Sequence, residues 1–203
     1  MNNTKPLPTE NQTLRDGWID FLSRYNYDWF ATFTFDMKMI PKGEIHPDQA
    51  DRLFRRWLRL QNELYFGTRF RDKGVGLYCF RALEHQLSGV IHYHALIAGI
   101  PHYQDQPAER QKHLRMQAEN MWLHLTVNDD EGNELKTPTG FCSIFPYRPT
   151  RGAARYMTKY ISKGGDIEAF MPRLPYNGQY TMQLNRLPQD RPAATFPLGA
   201  PPA

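Results

Sequence analysis

Along the chain the apolar positions switch between a spacing of three to four and a spacing of two, the difference between a helix and a strand. Between Thr13 and about Tyr25, Leu14, Trp18, Phe21 and Leu22 recur at helical spacing behind Thr13 as N-cap, which predicts a leading amphipathic helix. The run Trp29-Phe30-Ala31-Thr32-Phe33-Thr34-Phe35 alternates instead, placing Trp29, Ala31, Phe33 and Phe35 on one face of a first strand. From Pro47 to about Tyr65, Ala50, Leu53, Phe54, Trp57, Leu58 and Leu64 return to helical spacing, with Arg55, Arg56 and Arg59 largely off that face. Gly74 to His85 and Val90 to Gly99 are strand-like runs around Gln86-Leu87-Ser88-Gly89, a connector suited to a tight hairpin. A third long helix is predicted from about Pro107 to Leu125. The acidic stretch NDDEGNELKTPTG reads as an exposed loop before a short strand, Phe141 to Tyr147. A helix from Thr150 to Lys163 is then stopped by Gly164-Gly165.

Without the leading helix the order is βαββαβ and then a helix. This predicts an α+β fold, an RRM/ferredoxin-like antiparallel sheet of four to five strands with helices on one face and the other face free to bind. Four strands are legible. The expected organisation is a flexible N-terminus (1–12), one domain (13–165) and a proline-rich extension and tail (166–203) whose end, RPAATFPLGAPPA, has no patterned apolar content.

Composition narrows the classes. A chain of 203 residues and 23.8 kDa suits a single domain. A net charge of +4, a pI of about 9.1 and 13% aromatic residues suit a partner that is anionic and stacks, as single-stranded nucleic acid is. Cys79 and Cys142 show no metal-type spacing and read as reduced, buried thiols, as expected in the cytoplasm. No secretory leader or membrane-length apolar run is visible, and no GxxxxGK[ST] phosphate loop marks an ATPase.

On a strand His92 and His94 share a face. A three-residue loop Leu87-Ser88-Gly89 pairs Gln86 with Val90 and sets Glu84 opposite His92, while His85 faces the other way. Glu84, His92 and His94 are then a plausible mixed oxygen and nitrogen ligand set for Mn²⁺ or Mg²⁺. The bland alternative is two histidines on a half-wet strand.

Tyr156 and Tyr160 lie four apart on one helical face, each with a lysine three residues on, Lys159 and Lys163. A phenol, with a pKa near 10, needs cations to favour its ionised form and a polarised phosphate to attack. Alone, such a pair reads as half-buried packing with snorkelling lysines. The histidine strand and the carboxylate in the same chain favour chemistry. Arg148, Arg151 and Arg155 read either as contacts to DNA phosphates or as a solvated helix face.

With these residues in hand the chain resembles the HUH endonucleases, named for His-hydrophobic-His, and among them the rolling-circle replication initiators of plasmids and phages. FATFTF (Phe30 to Phe35) looks like the family's first motif, ALEHQLSGVIHYHALI like the second, and Tyr156, Tyr160 and Lys163 like the third, YxxxYxxK, all in the family's order. The resemblance covers roughly Trp29 to Gly165. It implies a five-stranded sheet carrying the metal and nicking and joining of single-stranded DNA through a 5′-phosphotyrosyl intermediate. It further implies a single-stranded origin in hairpin form as substrate, a host helicase and polymerase as partners, and Tyr160 as the first nucleophile. Single-strand transposases and mobilisation relaxases of the same superfamily share the chemistry. A non-catalytic RRM-like module, stacking bases on Tyr93 or Phe33, is the reading from another class.

Overall fold

The computed structural model describes residues 10–40, 45–85, 90–149, 152–159 and 167–172. In chain order the elements are α1 (Glu10–Ser23), β1 (Trp29–Phe35), α2 (Pro47–Phe66), β2 (Tyr78–His85), β3 (Ile91–Ala98), α3 (Ala108–Leu123), β4 (Thr126–Asn128), β5 (Glu134–Lys136), β6 (Thr139–Pro146), α4 (Ala153–Thr158) and β7 (Ile167–Phe170). Five strands form one antiparallel sheet in the order β6-β1-β3-β2-β7. The first four strands of that order are the ferredoxin-like arrangement that βαββαβ predicts.

The alternation in β1 explains the main core. Trp29, Ala31, Phe33 and Phe35 point to the face covered by α2 and α3, where Phe33 meets Trp57 and Trp122 at ring-centroid distances of 4.7 and 5.0 Å. Burying aromatic side chains of this size stabilises by roughly 1.5–3 kcal/mol each. Both indole N–H groups keep partners: Trp57 donates to the Ala118 carbonyl and Trp122 to that of Thr34, each at 3.0 Å. Cys79 and Cys142 are buried free thiols in this core, and burial pushes the Cys79 thiol up to about 12.

The fold departs from the sequence reading in four places. The sheet runs past residue 165, because β7 pairs with β2 from Cys79↔Phe170 to Ala82↔Ile167. A four-residue edge strand carries too few alternations to be seen, and this one is held by ion pairs from Glu168 to Arg55 and Arg81. The NDDEGNELKTPTG stretch contains the small β4–β5 ladder, its turn closed by the Asp129 carboxylate, which accepts N–H bonds from Glu131 and Asn133 at 3.0 and 2.8 Å. Strands of three residues are too short to show an alternation. α1 begins at Glu10, inside the segment expected to be flexible, and Leu14 is exposed. Residues 1–9 and the tail beyond 172 lie outside the described residues.

Fourth, α2 and α3 occupy one face as expected, but the opposite face is not wholly open. Leu22 of α1 and Ala153, Ala154 and Met157 of α4 form a second core with Phe30, Phe80, Ala82 and Leu96. Phe21 stands edge-on to Phe80 at 5.7 Å. α1 and α4 thus roof part of the face that carries the histidines. Among the described residues no helix is long and apolar enough to cross a membrane.

Candidate metal and tyrosine site

Antiparallel pairing sets Glu84 opposite His92, the register the hairpin predicts; residues 86–89 of the loop itself lie outside the described residues. His94 pairs with Ala82 of β2 on one side and with Thr32 of β1 on the other. Directly opposed residues share a face, so Thr32, Glu84, His92 and His94 all belong to the face roofed by α1 and α4.

His94 is the centre of this group. It is buried, with Thr32 Oγ1 3.0 Å from its Nδ1 and Glu84 Oε2 2.9 Å from its Nε2. The Phe30 ring lies parallel to it, 3° off, at 6.2 Å. Tyr156 meets it edge-on, ring centroids 4.9 Å apart at 89°. The tyrosine helix therefore does reach the histidine strand. Its approach depends on small residues: Ala153 and Ala154 face the sheet, Met157 is fully buried, and the helix is entered through Gly152, whose φ of 70° is accessible to glycine without strain.

Burial lowers the pKa of both imidazoles. For His92 the Glu84 charge works the other way, and for His94 the Glu84 hydrogen bond and charge do the same, without overcoming desolvation. Neutral rings offer a lone pair to a cation. As placed, ionised Glu84 accepts from Nε2–H, leaving Nδ1 to accept from the Thr32 hydroxyl. In the other tautomer Nδ1–H donates to Thr32 Oγ1 and Nε2 presents its lone pair, the arrangement of a metal-ligating histidine with its second nitrogen supported.

Among the described residues no three His, Cys, Asp or Glu side chains form a ready-made ion cage. Two of the expected donors nevertheless have the spacing that a divalent ion needs. Neighbouring ligands on an octahedral ion lie about 3 Å apart, and Glu84 Oε2 and His94 Nε2 already stand at 2.9 Å, with His92 directly across from Glu84.

Lys159 is exposed, its Nζ 5.9 Å from the centroid of the Tyr156 ring. Arg148 and Arg155 are exposed. Tyr160, Lys163 and Arg151, together with the side chain of His85, lie outside the described residues. Thr32 and Phe30 escaped the sequence reading as site residues, because the pattern of β1 does not reveal which strand lies beside it. Phe33 and Tyr93, the stacking residues of the binding-module reading, are buried on the core face and reach no ligand.

The family model of the replication-associated protein ORF2 matches residues 28–165, from the start of β1 through the tyrosine helix. No curated protein and no solved structure matches the chain.

Proposed function

The chain belongs to the replication-associated protein ORF2 family, and on that premise we propose that it nicks and rejoins single-stranded DNA at a replication origin, in the manner of an HUH endonuclease. The observation that carries this reading is the contact of Tyr156 with His94 while His94 Nε2 meets Glu84. A nucleophile of the right type and a ligand set of the right type share one face.

In the proposed reaction a tyrosine phenol oxygen attacks the scissile phosphorus. The P–O3′ bond breaks, its electron pair leaves with O3′, and a proton completes the free 3′-OH. The phenol proton passes to solvent, and the 5′-phosphate remains esterified to tyrosine. The bond is conserved, so a 3′-OH can reverse the step and close a circle with no nucleotide cofactor. Glu84, His92 and His94 would hold Mn²⁺ or Mg²⁺, which supplies Lewis-acid polarisation of the phosphate when bound. Lys159, beside Tyr156, supports the charge that develops in transfer. Arg148 and Arg155, both exposed, would hold backbone phosphates. Tyr160, with Lys163, is the second nucleophile of this reading and the one that makes the first cut, and Arg151 joins the phosphate contacts. In the cytoplasm a host helicase would unwind the duplex and a host polymerase would extend from the 3′-OH.

The test is a covalent adduct. Incubation with Mn²⁺ and a library of single-stranded hairpin oligonucleotides should give a protein–DNA species that survives a denaturing gel. Tyr156→Phe and Tyr160→Phe then apportion the phenols. DNA affinity without an adduct under any condition would sink the nuclease reading and leave a binding module.

A further inference from the structure

β6 sits at the edge of the sheet, and its side chains alternate between two environments. Cys142 and Ile144 enter the main core. Phe141, Ser143 and Phe145 point to the opposite face, the one that carries Thr32 and His94, because Ser143 pairs with Thr32 and Thr32 with His94. Phe141 is 69% exposed and Phe145 44%. Among the described residues no other Phe, Tyr or Trp is exposed. Scattered single apolar residues on a surface need no explanation, but two aromatics on one face of one strand leave water-facing area that a partner should cover.

We propose that Phe141 and Phe145 are a base-stacking platform that holds single-stranded DNA on the sheet beside His94 and Tyr156. This rests on the reading of the chain as a single-strand DNA enzyme and names its contact residues. Residues four apart on a strand are about 13 Å apart, so the two phenyls take separate bases. β6 and β3 are separated only by β1, about 10 Å across the sheet, which puts the platform within a nucleotide or two of His94. A cation stands at each end: Arg148 is exposed three residues beyond Phe145, and exposed Lys136 lines a hollow with Phe141 and Thr34, which Asp36 also lines. An apolar stacking face with a cation at each end is complementary to a strand of bases and phosphates. Pairing of a second copy along the edge of β6 is opposed, since Glu119 Oε1 already accepts the Ile144 N–H at 2.7 Å. The face is available, and the edge is partly taken.

The test uses the full chain, a fluorescein-labelled oligo(dT), and an abasic strand of the same length. By anisotropy, the Phe141→Ala/Phe145→Ala double variant should bind oligo(dT) at least about tenfold more weakly than wild type. It should match wild type on the abasic strand and keep its urea midpoint. Phe→Trp at either position should retain affinity. Unchanged oligo(dT) affinity overturns the platform, and does so equally if the urea midpoint falls, since the phenyls then pack against the chain itself. The adduct assay separates the two readings. A wild-type adduct with unchanged affinity in the double variant leaves the nuclease and removes the platform. Weakened oligo(dT) binding with no wild-type adduct keeps the platform and removes the nuclease.

Discussion

Tyr156 meets the buried ring of His94 edge-on at 4.9 Å, and the same His94 lies 2.9 Å from Glu84. One imidazole thus joins the helix that carries the proposed nucleophile to the carboxylate across the hairpin.

Thr32→Val keeps the shape of the strand residue and removes the hydroxyl at His94 Nδ1. The ring then loses the partner that supports its second nitrogen. Affinity for Mn²⁺, read by calorimetry, should fall about 10–100-fold, with adduct formation recovering at high Mn²⁺. An unmoved Mn²⁺ dependence would show that Thr32 does not support the ligand.

Met157→Ala removes the fully buried side chain that seats α4 on the second core. The cost to stability should be about 2–5 kcal/mol in urea denaturation. Adduct yield should drop while Mn²⁺ affinity is retained, because the ligands sit on strands and Tyr156 on the helix. Equal losses in both would argue against separate seats for the tyrosine and the metal.

Arg81 is buried on the core face, bonded to Asp51 and Glu168 and lying 4.2 Å over the Tyr93 ring. Burial pushes the Asp51 carboxyl up, but hydrogen bonds and charge from Arg55 and Arg81 outweigh it and hold the group below its usual range. A depressed folded pKa contributes stability above the unfolded value, about 3.9, and that contribution is lost as pH falls through the folded value. Urea midpoints should therefore fall on acidification below about pH 4, and Asp51→Asn should flatten that fall. A wild-type slope in the variant would remove Asp51 from the acid response. Asp28 works in the opposite sense: burial raises its pKa despite bonds from the Ile100 N–H and Gln104, so its charged form costs stability at higher pH.

Gly140 stands in β6 beside the β-bulge at Phe33/Phe35. A Cβ there would meet the Phe35 carbonyl carbon at 2.8 Å and the Asp36 nitrogen at 2.9 Å, both backbone atoms that cannot rotate away. Gly140→Ala should cost about 1–3 kcal/mol of stability, read as a lowered urea midpoint. A neutral result would mean that the bulge yields without cost.

Much of this architecture is legible in the sequence. The alternation of Trp29 to Phe35 assigns a core face, the βαββαβ order implies the sheet, and the hairpin's length places Glu84 across from His92. These are short-range matters, settled by side-chain period and by the turns a few residues allow. Long-range packing decided the rest. Only the choice of β1 as neighbour of β3 brought Thr32 to His94, only pairing with β2 made a strand of Ile167–Phe170, and only the docking of α1 and α4 roofed the second face. A local pattern states which side of an element is apolar; which element it meets depends on the free energy of the whole assembly, to which residues far apart in the chain contribute together.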